Sequence, residues 1–447
     1  MLDIVGIVAN KYYGTTRMAL RDQIELAAVG LMRLKNADGG MPAVRAEHSS
    51  GCWTSAITVH SLLSIGALPV NGIGALRDVI EYLLNSQIVT EGEKGGWPLA
   101  QGERGSAMAT GHSCAALQRA MRMFDYDPAL TARLKSSVAI GKRWLTDRQN
   151  DDGGWGPEPA AGGEGKASSI LATGYALLPF IESGETSHTP GVVQEASRYL
   201  GNRRHGSDGS WSYQFSLPGD VSTSARAVVT LLRCRACTPQ DHVARGALAF
   251  ILSKKDPKSG LWDVVEEPVF YPDAGGNISF HQNALGDVLT FFAEIGYRGP
   301  EVGYIVSWLL ATQDKTTGLW PLASPNWRAK EVETWSTCTW ALALDIASRK
   351  LGDTALEGTD LSAAKAIHRK LRLPMVAVLS VSMVSLLGFT SEALYRRIVL
   401  SYNWLPGWAK WIIATLIVGG IVSALSDGVK GGVKSALRWA SSRPIAK

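Results

Sequence analysis

Up to about residue 350, apolar residues recur in pairs of helix-length segments, separated by a short polar turn that ends in glycine and an aromatic side chain. The stretch Trp144–Trp155, WLTDRQNDDGGW, carries the whole pattern: an aromatic-apolar pair (Trp144, Leu145), then Gln149, then Asp151-Asp152-Gly153-Gly154 leading into Trp155. The same order returns as Tyr82-Leu83 and Gln87 before Gly95-Gly96-Trp97, and as Tyr199-Leu200 before Asp208-Gly209-Ser210-Trp211. Phe250-Ile251 leads to Gly260-Leu261-Trp262, and Trp308-Leu309 with Gln313 to Gly318-Leu319-Trp320. A sixth, worn copy ends at Asp38-Gly39-Gly40-Met41. A fixed period of several tens of residues is the mark of a repeat architecture.

Between anchors the apolar positions follow helical spacing, as Ile170, Leu171, Tyr175, Leu177 and Leu178 do after the Trp155 turn. One helix precedes each Gly-Trp turn and one follows it, so each unit is a helical hairpin and six units predict twelve helices. The first outer helix is expected over roughly 17–34 and the first inner helix from near Ser50, with the second inner helix from near Ser106. The fourth opens at Gly219–Ala225, the fifth contains Ser279-Phe280-His281-Gln282-Asn283, and the sixth carries Glu331, Glu333, Thr334, Trp335 and Thr337.

WLTDRQNDDGGW and its copies resemble the "QW" repeat of the α/α-toroid proteins, which include squalene and other terpenoid cyclases and protein prenyltransferase β subunits. The resemblance covers about residues 20 to 350 and implies an all-α fold, an (α/α)6 toroid of six helical-hairpin repeats. It also implies that the inner-helix starts line the mouth of a central cavity. On that basis His48, Trp53, His112, Tyr175, Asp220, Ser222, His281, Asn283 and Trp335 are the candidate ligand-binding residues. Each polar member has a plainer reading as a helix cap or a hydrogen-bonding group inside a packed ring.

The chemistry of the family is eroded at these places. Cyclases of the protonating class resemble one another in a DxDD-T-A motif, and this chain has Asp220-Val221-Ser222-Thr223-Ser224-Ala225 there. Ser222 occupies the position of the acid, and a hydroxyl is too weak to protonate an alkene. The DDxxD magnesium signature is absent. Prenyltransferases hold zinc through an Asp-x-Cys and a His; Asp220 and His281 match, but Ser222 stands in place of the Cys, and catalytic zinc needs about three protein ligands. No cofactor is therefore expected, with zinc or magnesium at Asp220 and His281 as the alternative. If the toroid is an enzyme, Asp220, Glu331 and Glu333 are the candidate catalytic residues.

Composition adds what the repeats do not. The net charge of +5 gives no strong footprint for nucleic acid. Five scattered cysteines do not form a disulfide framework, and Cys234-Arg-Ala-Cys237 is a lone CxxC. The N-terminus reads as free of a signal peptide, which places the toroid (1–350) in the cytoplasm. After a polar and basic linker (351–372), Leu373–Phe389 carries no charge and Trp404–Leu425 only Lys410. The first run is close to the minimum that spans a bilayer. Residues 373–447 therefore read as two transmembrane helices with a basic tail, both ends facing the cytoplasm of an inner membrane. Small-xxx-small pairs at Gly419/Ser423 and Gly420/Ala424 would permit a homo-oligomer. Three functions remain open: a membrane-tethered toroid that binds a hydrophobic, isoprenoid- or lipid-like small molecule or a peptide, as a sensor or effector in a bacterial stress or defence system; an isoprenoid cyclase or transferase acting on a membrane-delivered substrate; and a scaffold without a ligand.

Overall fold

The computed structural model describes residues 20–43, 49–68, 72–92, 94–99, 102–156, 167–188, 191–212, 218–255, 262, 265–271, 276–282, 284–320 and 334–352. The chain divides into two units, Met1–Ala364 and Lys365–Lys447. The linker beyond Gly352, both expected membrane spans and the basic tail lie outside the described residues, among which no helix is long and apolar enough to cross a membrane.

Six inner segments form the repeats' second halves: α2 (Cys52–Ile65), α4 (Ala107–Met123), α6 (Ile170–Ala176) continued by α7 (Leu178–Glu182), α9 (Val221–Arg233), α11 (Leu285–Ile295) and α13 (Thr334–Leu351). Each packs on the next, and α13 packs back on α2, so the ring closes. The outer helices are α1 (Leu20–Met32), α3 (Gly72–Asn85), α5 (Pro128–Asp147), α8 (Val192–Asn202), α10 (His242–Ser253) and α12 (Pro300–Thr312). Each outer helix packs on the inner helix that precedes it around the ring, with α1 on α13. The expected count of twelve becomes thirteen described helices because Pro179 interrupts the third inner helix: it has no N–H to donate, and its ring crowds the preceding turn.

The turn motif explains the closure. The ring N–H of Trp155 donates to the Leu145 carbonyl at 2.8 Å, and those of Trp97, Trp211, Trp262 and Trp320 reach Leu83, Leu200, Ile251 and Leu309 at 2.6–2.7 Å. In every case the acceptor belongs to the last turn of the outer helix, where carbonyls lack an intrahelical partner. Gln149 donates to Gly153 in its own turn and to Val192 at the start of the next outer helix, at 2.8 and 3.0 Å. Gln87 likewise bonds Gly95 in its own turn and Ser137 in the middle of α5, and Gln313 bonds Gly318 and Gln23, the last bond joining the sixth repeat to α1. Where the fourth repeat lacks Gln, Arg204 bonds the Gly209 and His242 carbonyls in the same two directions.

The fifth repeat departs from helix. Val265–Tyr271 (β1) and Gly276–Gln282 (β2) form an antiparallel hairpin in register Val265↔Gln282 to Tyr271↔Gly276. The segment that repeat spacing assigned to an inner-helix start thus lies in a strand, and the helix begins at Leu285. The first arm carries Val265, Val269, Phe270 and Tyr271 and the second Ile278 and Phe280, residue types that favour a pleated surface.

Candidate functional site

One residue from each inner helix meets at the ring's axis: Trp53 of α2, His112 of α4, Tyr175 of α6, Arg226 of α9, Asp287 of α11 and Trp335 of α13. Trp53 is the hub, with ring centroids 6.1 Å from His112, 6.4 Å from Tyr175 and 6.0 Å from Trp335. His112 lies 4.4 Å from Tyr175. Gly111 makes that approach feasible, because a Cβ at this position would come closer than 3.0 Å to the Tyr175 carbonyl. The Arg226 guanidinium sits 5.4 Å from the centre of the Tyr175 ring, bonds the Tyr175 hydroxyl, and donates to Asp287 Oδ2 at 2.8 Å. Asp287 Oδ2 also accepts from Ser222 Oγ at 2.5 Å. Trp53, Tyr175, Arg226 and Asp287 are half-buried.

This layer is electrostatically settled. His112 is buried, and burial first, then the charges of His60 and Arg226, push its pKa down to about 3 against the Met108 carbonyl. It is neutral at physiological pH. The His112 Nδ1 lies 3.2 Å from both the Trp53 ring N–H and the Met108 carbonyl, so its tautomer decides which of the two it bonds.

Seven residues further along, the same inner faces carry a second polar layer of His60, Arg119, Glu182, Arg233, Glu294 and, from α13, Lys350. Glu182 accepts from Arg119 Nε at 3.1 Å and Arg122 Nη2 at 3.0 Å, with His60 Nε2 3.5 Å away. Burial pushes the Glu182 carboxyl up, but the His60 and Arg119 contacts more than offset it, and it sits at about 2. Arg233 bonds Glu294 at 3.0 Å, and Lys350 bonds the other oxygen. Burial holds His60 below the ordinary histidine range. Cations near helix C-termini complement the helix dipoles, so this layer reads as a structural brace.

Of the residues expected from the sequence, Trp53, His112, Tyr175, Ser222 and Trp335 come together at the axis. Asp220 caps α9, its carboxylate accepting from Thr223 N at 2.7 Å. His281 falls on β2 rather than at a helix start. His48, Asn283, Glu331 and Glu333 lie outside the described residues. Arg226 and Asp287 escaped the sequence reading; the signal was the seven-residue recurrence of polar residues at 112/119, 175/182, 226/233 and 287/294. Among the described residues no three His, Cys, Asp or Glu side chains converge on a metal position. The cysteines are free; burial pushes Cys52 and Cys237 up to about 11 and Cys234 and Cys338 up to about 12, and raises Cys114 as well, so none of them offers a thiolate at neutral pH.

The architecture is shared with solved structures. An inactive variant of an α-1,6-mannanase of Salegentibacter sp., in complex with α-1,6-mannotetrose, aligns over 74% of this chain and 99% of its own at 12% identity, with a TM-score of 0.52. A glycosidase variant aligns over 75% and 97% at 12% identity, also at 0.52. The chain has the α/α-toroid fold. A type II terpene cyclase from Scytonema in complex with geranylgeranyl dihydroxybenzoate aligns over 74% and 98% at 17% identity with a TM-score of 0.49. No protein-family model matches the chain, and no curated protein matches it. At these identities the likeness extends to the fold and not to the chemistry.

Proposed function

We propose that the protein is a ligand-binding toroid, tethered to a bilayer by its C-terminal segment, whose axial floor receives a lipid-like molecule without turning it over. The observation that carries this reading is the contrast at the axis between accessible aromatic surface and occupied chemistry. Trp53 and Tyr175 are only partly buried, while Asp287 is engaged by Ser222 and Arg226, and His112 is neutral. Alkene protonation requires an acid that holds its proton ready. Ser222, at the place where the resembling cyclases carry that acid, instead donates to a carboxylate from the neighbouring helix. Glycoside hydrolysis requires two carboxyl groups roughly 5–9.5 Å apart across the bond, and Asp287 is the one carboxylate of this layer among the described residues. Apolar, aromatic walls with a few fixed polar groups are the usual makeup of a small-molecule site.

The tether is supported by the uncharged run Leu373–Phe389, by Trp404–Leu425 with Lys410 as its one charge and tryptophans at its start, and by the basic clusters beside them. Native mass spectrometry of the full chain in mild detergent tests the whole reading. One lipid-like molecule should be retained per chain, and squalene or prenyl diphosphates should be recovered unchanged with or without zinc or magnesium. Turnover by the unmodified protein that dies on replacing Glu331 or Glu333 would overturn the proposal in favour of an enzyme.

A further inference from the structure

Two residues on from the turn glutamine, the second and third repeats carry Val89 and Asp151, whereas the sixth carries Lys315. Independently of the proposed function, we infer that Lys315 is an acyl-accepting site, a nucleophilic amine that takes an acyl group from an activated carbonyl such as that of an acyl phosphate.

Lys315 belongs to the seam where the sixth repeat closes on α1. Its amine bonds Gln23 Oε1 of α1 and, at 3.1 Å, Gln313 Oε1. Both acceptors are neutral amide oxygens on buried side chains. Among the described residues no carboxylate lies within ion-pair distance of this amine. Asp314, its neighbour in the chain, turns its carboxylate into its own loop, where it accepts from Thr316 N at 2.8 Å and Thr317 Oγ1 at 2.9 Å. Asp22, beside Gln23, is exposed. The other partly buried lysines among the described residues, Lys35, Lys142 and Lys255, bond the carboxylates of Asp78, Glu185 and Glu301. Lys315 differs from all three in having no counter-charge.

Burial without a counter-charge disfavours the ammonium form. It lowers the Lys315 pKa from the ordinary 10.5 to about 8. At pH 7 an amine of pKa 10.5 is neutral in about one molecule in three thousand, and one of pKa 8 in about one in ten. The neutral form has the lone pair that the ammonium lacks, which is how desolvated lysines become nucleophiles. In the step, Nζ attacks the acyl carbonyl carbon and an N–C bond forms. The C–O bond to phosphate breaks, and phosphate leaves with the electron pair and takes up the proton that the nitrogen loses. The products are a neutral amide and inorganic phosphate. The amide keeps one N–H for a glutamine oxygen and removes the uncompensated charge from the seam.

Acetyl phosphate added to the full chain in mild detergent at pH 7 tests this, with the occupancy of each lysine read by peptide mass spectrometry at low conversion. Lys315 should be acetylated at least threefold faster than the exposed Lys94 and Lys135. Its rate should level off above about pH 8, while theirs keep rising to about pH 10. Gln23→Glu places a carboxylate against the amine, so the Lys315 rate at pH 7 should fall at least tenfold while Lys94 and Lys135 react as before. A lysine that reacts only because it is exposed would not respond to that change. Should Gln23→Glu fail to fold, the pH profile of the unmodified protein decides. A Lys315 rate at pH 7 no higher than that of the exposed lysines, a profile that rises with theirs to pH 10, or a rate unmoved by Gln23→Glu in folded protein overturns the inference.

Discussion

Arg233 and Glu294 repeat, seven residues along the same two helices, the ion pair that Arg226 makes with Asp287: the upper pair closes at 2.8 Å and the lower at 3.0 Å. Seven residues are about two turns, so α9 and α11 are tied twice on their inward faces. The lower pair also takes in Lys350, at the end of α13. Removing one partner of a buried pair costs ~3–5 kcal/mol. Asp287→Asn is expected near the lower end of that range, and Glu294→Gln below it, because Arg233 keeps 30% of its side-chain surface. Sites about two turns apart normally add within ~0.5 kcal/mol. If the two helices move as one body, a double-mutant cycle on Asp287→Asn and Glu294→Gln should instead give a coupling above that. Strict additivity in chemical denaturation would show that the axial layers are independent.

Trp155 is 1% exposed and spans from its turn to the last turn of α5. Trp155→Ala should lower stability by ~3–5 kcal/mol, read as a fall in the thermal midpoint of the full chain. The axial layer lies elsewhere, so retention of the lipid-like molecule in mild detergent below the new midpoint should be unchanged. A wild-type melting curve for this variant would remove the structural role assigned to the turn tryptophans.

The turns were the most legible part of the sequence because they are local: a tryptophan that caps its own outer helix must recur at the same distance from that helix. Arg204 was harder to see, since an arginine does the work of Gln149 with different chemistry, and only the two carbonyls it bonds reveal the equivalence. The candidate site was half legible. Trp53, His112, Ser222 and Trp335 sit near helix starts, where repeat spacing points. Asp287 is in the first turn of α11, but repeat spacing had placed that helix start around Ser279–Asn283; Arg226 is six residues into α9, where a charge usually marks a solvated face, and a closed ring turns that face inward. The β1–β2 hairpin was missed because repeat spacing outweighed the β-branched and aromatic residues of Val265–Tyr271, and the second arm around His281 carries only Ile278 and Phe280 as strand signals.

Two glycine substitutions should act with opposite signs. At Gly111 a methyl group would drive α4 off the Tyr175 carbonyl, and overpacking of this kind costs ~1–3 kcal/mol. It should also separate His112 from Tyr175 and weaken ligand binding. At Gly74, inside α3, an added Cβ meets nothing within 4 Å, and alanine gains up to ~1 kcal/mol of helix propensity. Destabilisation by both changes in parallel melts would count against the close approach at Gly111 as the cause.

Acid should unfold the ring in two stages, and the sign follows from which state binds more protons. The ordinary histidine pKa of 6.5 falls to about 3 at His112, and His60 moves in the same direction. Between those values the unfolded chain takes up protons that the folded chain refuses, so stability rises with pH through this window and is complete above it. It is therefore lost progressively as pH falls below 6.5. Glu182, lowered from 4.5 to about 2, adds a second loss beginning near pH 4.5, when its bonds to Arg119 and Arg122 compete with protonation. Asp345, raised by burial against Arg349 and Arg21, works the other way: it becomes more favourable as pH falls, and partly offsets the acid loss. A tenfold difference in proton affinity between the folded and unfolded chain corresponds to about 1.4 kcal/mol, so the histidine stage should dominate between pH 6.5 and 5. Urea midpoints of the full chain across that interval should slope upward with pH. His112→Gln should flatten the slope, and His60→Gln should flatten it further, while Glu182→Gln removes the lower stage and, by taking away the carboxylate that raises His60, makes the upper slope no shallower. A slope unaffected by either histidine change would mean that these imidazoles titrate normally in the folded ring and that the axis admits protons freely.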